Sequence, residues 1–186
     1  MKIAICGESS SGGSVNVGKD TFAKIFREEY YNVTRNVIDL NKDHNIEFAK
    51  PLKEICATLL NAPIQVFYDR KFKEEYRPFL IQTSKALKTI DENVILLPSV
   101  LKVKNITSGL IIFTDLRLPN EEAYIRKEGI PIIKIKRDSV LVNDDVTETF
   151  SSNIKADYVY ENNGTLQDMR NYIKQLIQTL INNENE

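Results

Sequence analysis

Gly13-Ser-Val-Asn-Val-Gly18-Lys19-Asp20-Thr21 is the stretch on which the reading of this 186-residue chain turns. It has the spacing G-x-x-x-x-G-K, with Asp20 where a serine or threonine is usual and Thr21 directly after it. Glycines let backbone N–H groups turn inward around phosphate oxygens. A lysine adds a point charge, and a helix that starts there presents the positive end of its dipole to the same anion. The pattern means little without its context, which here is favourable. Lys2-Ile-Ala-Ile-Cys6 reads as a short buried strand, and from Lys19 apolar residues recur at helical spacing through Phe22, Ala23, Ile25 and Phe26 to about Tyr30. Strand, glycine-rich loop and helix are the order that a phosphate cradle needs. The competing interpretation, a plain Ser/Gly loop capped by a helix, requires the preceding strand to be incidental.

The spacing of the loop leaves two arrangements open. Gly7 directly follows the strand and is the natural first glycine, but ten residues, 8–17, then separate it from Gly18 instead of four. Either the segment between strand and loop is lengthened, or Gly13 begins the cradle and residues 7–12 form a bulge.

Further along the chain, strands alternate with helices. Val33–Leu40 reads as a second strand. Ile46–Leu60 reads as a helix with Phe48, Leu52, Ile55, Cys56 and Leu59 on one face, and Pro51 inside it marks a kink or a later start. Residues 68–76 are densely charged, and Pro78–Ile90 is expected to be a helix facing inward through Phe79, Leu80, Thr83, Leu87 and Ile90. Gly109–Thr114 is almost wholly apolar, as a central parallel strand is. Pro119–Lys127 reads as a helix with Pro119 in its first turn and Gly129 beyond its end. Ile130–Ile135 and Asp157–Tyr160 read as strands. Thr165–Ile181 closes the chain as a helix, with Leu166, Met169, Ile173, Leu176, Ile177 and Leu180 as its stripe and Thr165 with Asp168 as a capping box. The expected fold is α/β, a mainly parallel sheet with helices on both faces.

Composition narrows the function classes. Lys and Arg number 25 against 26 Asp and Glu, a net charge of −1, so no global field draws the chain to nucleic acid or an anionic membrane. The apolar run at the N-terminus is too short for a signal peptide or a membrane span. Cys6 and Cys56 lack metal or redox spacing and suit a reducing compartment as small buried hydrophobes. The only histidine, His44, falls in the polar run Asn41–Asn45, expected to be a loop, and no zinc cluster can be built around it.

Two further segments carry chemistry. In Phe113-Thr-Asp115-Leu-Arg117-Leu-Pro-Asn-Glu-Glu122 an acid ends a buried strand, where ligands of open α/β sheets lie, and Arg117 is within reach of a phosphate. A strand end with solvated charges reads the same from position alone. Asp69-Arg-Lys-Phe-Lys-Glu-Glu-Tyr-Arg77 is either a solvated helix face or a mobile basic segment that closes over phosphates.

Taken together, these pieces resemble the deoxynucleoside monophosphate kinases of bacteriophages and their bacterial relatives. The matching segments are Gly18–Thr21, Phe48–Ile55, Tyr68–Glu74, Thr114–Glu121, Asp157–Val159 and Asn162–Leu166, in the family's order along the chain. The family commonly carries Gly-Lys-Asp-Thr, which accounts for Asp20. The resemblance implies a three-layer P-loop kinase fold in one domain, with residues from about 45 to 105 as a small helical lid and acceptor insertion. It implies phosphoryl transfer from ATP with magnesium, in the cytoplasm of a bacterium or an infected host. Lys19, Arg70, Asp115 and Arg117 would be catalytic. Gly13, Gly18, Lys19, Asp20 and Thr21 would surround the donor phosphates, with Asp20 or Thr21 near the metal. Lys50, Lys53, Arg70, Lys73, Arg77 and Arg117 would serve the substrate. Asn162, Asn163, Gly164 and Thr165 would form a loop near the donor base. The partner is a small nucleotide, no membrane is involved, and a homodimer is left open. Two alternatives stand beside this one. In the first, the kinase acts on a hydroxymethylated pyrimidine nucleotide or a modified base in DNA, against which the near-neutral charge argues mildly. In the second, a P-loop-derived binding or regulatory protein has lost catalysis.

Overall fold

The computed structural model describes residues 1–9, 17–35, 43–138 and 153–184, without the side chains of Ser9, Arg70, Lys71, Lys73 and Glu74. Gly13 and most of the segment between the first strand and the first helix lie outside the described residues. The elements follow in the order β1 (Lys2–Ser9), α1 (Lys19–Thr34), β2 (Asp43–Ile46), α2 (Lys50–Leu59), a 3-10 turn (Ile64–Phe67), α3 (Arg70–Lys88), α4 (Leu96–Lys104), β3 (Leu110–Phe113), α5 (Pro119–Lys127), β4 (Ile132–Arg137), β5 (Tyr158–Glu161) and α6 (Leu166–Glu184). Two compact units result, residues 1–46 with 108–186, and residues 47–107. None of the described helices is long and apolar enough to cross a membrane.

The first unit is built on a five-stranded sheet of order β2-β3-β1-β4-β5 with every pairing parallel. One sheet face packs on α1 and α6. Ile3, Ile5, Leu110, Ile112, Ile133 and Ile135 point to that side and meet Phe22 and Phe26 of α1 and Met169, Ile173 and Ile177 of α6. Helix α5 covers the opposite face, where Tyr124 meets Phe113 edge-on at 6.2 Å between ring centres. Helices on both faces of a wholly parallel sheet make this a three-layer α/β fold, as expected from the sequence. β3 is buried at all four positions because it has a strand on each side and a helix layer on each face.

Four expectations change in this unit. Gly7 does not end the first strand. It pairs in register with Ile135, and β1 runs on to Ser9 opposite Arg137. A loop that starts at Gly7, and a bulge over 7–12, are therefore excluded for residues 7–9, because β4 supplies ladder partners past the glycine. Val33 and Thr34 belong to α1, not to a strand, and residues 36–40 lie outside the described ones. The second strand is instead Asp43–Ile46, which places His44 on the sheet opposite Ile111 and not in a loop. An edge strand needs only one ladder partner, and its polar residues are tolerated on its open side. Asp43 there is held by Arg27 Nε at 2.6 Å, and burial raises its carboxyl above the usual range. Leu166 leaves the stripe of α6: it is 64% exposed in the first turn, while Met169, Ile173, Leu176, Ile177 and Leu180 are buried.

The second unit is helical. Cys56, Ala57 and Phe67 form its centre, with Leu52, Tyr76, Phe79 and Leu80 against them. Helix α2 starts late, with Pro51 in its first turn. Ile55 and Leu59, expected inward, are 39% and 66% exposed. Helix α3 begins at Arg70, eight residues before Pro78, which sits inside it. Arg, Lys and Glu are strong helix formers, and Asp69 caps the start by accepting the N–H of Phe72 at 3.4 Å. Ile90 lies past the end of α3 and is 79% exposed instead of inward.

Candidate functional site

Helix α1 begins at the end of the glycine-rich segment. Gly18 is its N-cap, with φ of 96°, a left-handed turn that favours glycine. Its carbonyl accepts the N–H of Phe22 at 2.9 Å and starts the helical ladder. Lys19 is the first helical residue, and its ammonium is shielded from solvent. Asp20 and Thr21 follow in the first turn with exposed side chains, and Asp20 is a favourable charge beside the helix N-terminus.

Two adjoining cavities open at this turn. The larger, about 460 Å³, lies between Gly18 and Thr21 on one side and Asn162, Asn163, Gly164 and Thr165 on the other. The smaller, about 350 Å³, is lined by residues Val17–Thr21. Arg137 lines both. It stands at the C-terminal end of β4, on the same sheet face as α1, because odd-numbered residues of β4 point there.

The turn after β5 is held by its own polar groups. The backbone N–H of Asn162 donates to Lys136 O at 2.6 Å, and its side-chain Nδ2 donates to Val17 O at 2.8 Å. Asn163 and Asp138 are doubly joined. Asn163 Nδ2 donates to Asp138 Oδ2 at 2.7 Å, and the Asp138 N–H donates to Asn163 Oδ1 at 3.0 Å. The capping box forms as the sequence predicts. Asp168 Oδ2 accepts the Thr165 N–H at 2.8 Å and hydroxyl at 2.7 Å, and the Asp168 N–H donates to Thr165 Oγ1 at 3.2 Å. These bonds from Thr165, the hydroxyl's first, hold the Asp168 carboxyl below its usual range.

Beyond β3, Asp115 and Arg117 are half-buried and engaged with neighbours. The backbone here is set by Glu121, whose Oε2 accepts the N–H groups of Arg117 and Leu118, both at 2.9 Å. Burial pushes the Glu121 carboxyl up to about 8, the charge of Asp115 adds to the rise, and the two N–H bonds oppose it. On the α5 face of the sheet, buried Lys134 pairs with Glu8 at 3.0 Å. Burial raises the Cys6 thiol to about 11, so it is an inert core group.

The structure thus sets Gly18 and Thr21 across the larger cavity from Asn162–Thr165, while Lys19 and Asp20 line the adjoining smaller one. Within the second unit, Lys53 is committed locally: its ammonium meets Glu47 Oε2 at 3.0 Å and lies 3.9 Å from the ring centre of Tyr68, whose hydroxyl donates to the same oxygen at 2.8 Å. Lys50 makes a loose pair with Glu54 at 3.9 Å. Arg70 and Lys73 stand on the first turn of α3, with Arg77 further along it. Among the described residues no group of three or more His, Cys, Asp or Glu is placed to hold a metal ion. The carboxylate of Asp20 and the hydroxyl of Thr21 are oxygen donors of the kind magnesium takes one or two at a time beside substrate phosphates.

Three contributors were not singled out from the sequence: Arg137, Asp138 and Glu121. Arg137 ends β4 and Asp138 follows it, at the strand's carboxyl end where the α/β rule alone would have found them. Glu121 is the N3 residue of α5, but its N-cap is Leu118 and not Ser or Thr, so the usual capping signature is hidden.

No protein-family model matches the chain, and no curated protein matches it in sequence. Among solved structures, the shikimate kinase from Aquifex aeolicus aligns over 99% of this chain and 98% of its own, with 13% identity and a TM-score of 0.42. So loose a likeness carries no argument about activity; the fold stands on strand order and register.

Proposed function

We propose that this chain is a deoxynucleoside monophosphate kinase, moving the γ-phosphoryl group of ATP to the phosphate of a deoxynucleoside monophosphate. The observation that carries the reading is the left-handed turn at Gly18, opening helix α1 at the carboxyl end of the sheet beside a cavity of about 460 Å³. Open α/β sheets bind ligands beyond their strand carboxyl ends, and a helix N-terminus with a neighbouring lysine is suited to phosphate. In the proposed assignment Lys19 and the first-turn amides of α1 take the donor phosphates, and the larger cavity takes the base and sugar between Arg137 and the Asn163–Thr165 turn. Bound with ATP, magnesium would neutralise charge on the β- and γ-phosphates, and Asp20 or Thr21 is assigned to it.

Asp115 and Arg117 are assigned to the acceptor, their backbone held by Glu121. Lys50, Lys53, Arg70, Lys73 and Arg77 are assigned to the acceptor phosphate and the lid, as the family resemblance implies. In the transfer an acceptor phosphate oxygen attacks the γ-phosphorus, the bond to the β-γ bridging oxygen breaks, and ADP leaves. Catalysis of this kind is positioning and charge stabilisation. The test is ADP release with ATP, magnesium and a panel of natural and hydroxymethylated nucleoside monophosphates. Turnover confined to one or a few deoxynucleotides is expected; ATP consumption indifferent to every monophosphate would rule the assignment out.

A further inference from the structure

Asn162 was assigned, by resemblance, to the donor base. Its hydrogen bonds point elsewhere. The side-chain amide crosses from the β5–α6 turn to the carbonyl of Val17, 145 residues earlier, at 2.8 Å. Val17 is buried, and its carbonyl is the last acceptor before the left-handed turn at Gly18. The backbone N–H of the same asparagine is fixed on Lys136 O at 2.6 Å, so the amide reaches Val17 from a base anchored to β4. The fit at Gly18 is an independent sign. A Cβ built on Gly18 would lie 2.4 Å from Asn162 Nδ2, so the amide occupies the space that any other residue at position 18 would fill.

We infer that Asn162 is a positioning residue that latches the Val17–Gly18 turn and so aims Lys19 and the first amides of α1 at phosphate. This rests on the proposed donor site and changes one part of it: Asn162 serves the phosphate end of the nucleotide, not the base. The latch also explains why Gly18 and Asn162 belong together. The left-handed turn needs a residue without Cβ, and the room left by the missing Cβ admits the amide that holds the turn.

A ligand without a base separates the two roles. In calorimetric titrations of the full chain with ATP and with inorganic tripolyphosphate, Asn162→Ala should weaken both by the same factor, about tenfold, because a buried carbonyl loses its donor and the turn loosens. Asn162→Asp keeps the size and removes the N–H donor, and it should behave like the alanine variant. Weakened ATP binding with unchanged tripolyphosphate binding would make Asn162 a base reader and overturn the inference. Unchanged binding of both ligands would overturn it too, as would full retention by Asn162→Asp.

A ligand-free readout keeps this apart from the donor-site reading. The amide of Phe22, which donates to Gly18 O, should exchange with solvent about tenfold faster in Asn162→Ala, with the amide of Ile177 unchanged. If wild type binds neither ligand, the donor site is wrong and the exchange result alone decides the latch. Equal exchange at Phe22 in wild type and variant contradicts it.

Discussion

Glu121 holds the backbone N–H of Arg117 at 2.9 Å through a carboxyl that burial has pushed up to about 8. That relationship makes folding depend on pH with a definite sign. Below the ordinary value of 4.5 both the folded and the unfolded chain keep the proton. Between 4.5 and about 8 the unfolded chain releases it while the folded chain retains it, so stability falls as pH rises through this window and levels off above it. Glu121→Gln keeps an acceptor for the two N–H groups and removes the titration. Urea unfolding from pH 4.5 to 8.5 should show the variant gaining on wild type with rising pH, by a total on the order of a few kcal/mol. Parallel stability curves would show that Glu121 does not titrate in this window.

Gly18 and Gly129 both have positive φ, 96° and 65°, but different surroundings. A Cβ at Gly129 meets nothing within 4 Å, whereas one at Gly18 runs into the Asn162 amide. Gly129→Ala should therefore cost about 1–2 kcal/mol, the backbone term alone. Gly18→Ala should cost more and should also abolish stabilisation by ATP. Denaturant unfolding with and without ATP and magnesium measures both effects. For wild type, ATP at a hundred times its Kd should add about 2.7 kcal/mol.

Helix α6 offers a test of packing. Ile173 is fully buried between α1 and the sheet, and Leu166 is mostly exposed at the cavity edge. Ile173→Ala should cost about 2–5 kcal/mol. Leu166→Ala should stay within about 0.5 kcal/mol. Comparable losses in urea unfolding would place Leu166 back in the core stripe.

The reasons some elements were legible in the sequence and others were not are physical. β3 and α5 read correctly because Leu110–Phe113 is buried on both faces and because Pro119 sits in the first turn of a helix that Gly129 follows. The turn into α6 was legible because Thr165 and Asp168 satisfy each other locally. β2 was not, since Asp43-His-Asn-Ile46 owes its strand to the buried neighbour β3 and not to its own propensity. Gly7 misled for a related reason: a glycine punctuates an isolated strand, but here β4 carries the ladder past it. Helix α4 has Pro98 in its first turn and apolar residues on several sides, which conceals any clean helical stripe. At the candidate site, the start of helix α1 at Gly18 and Lys19 was legible from spacing. The engagement of Asn162 with Val17 was not, because it joins residues from opposite ends of the chain.

In the proposed function, phosphoryl transfer from ATP runs through the turn at Gly18 and Lys19. Its most direct test is transfer of label from γ-labelled ATP to deoxynucleoside monophosphates by wild type and Lys19→Ala, with the melting temperature of each recorded alongside. Wild type should yield a labelled diphosphate, and the variant should lose about a hundredfold or more of this activity with the fold intact. Full activity of Lys19→Ala on every nucleotide, or no labelled diphosphate from wild type, would contradict it.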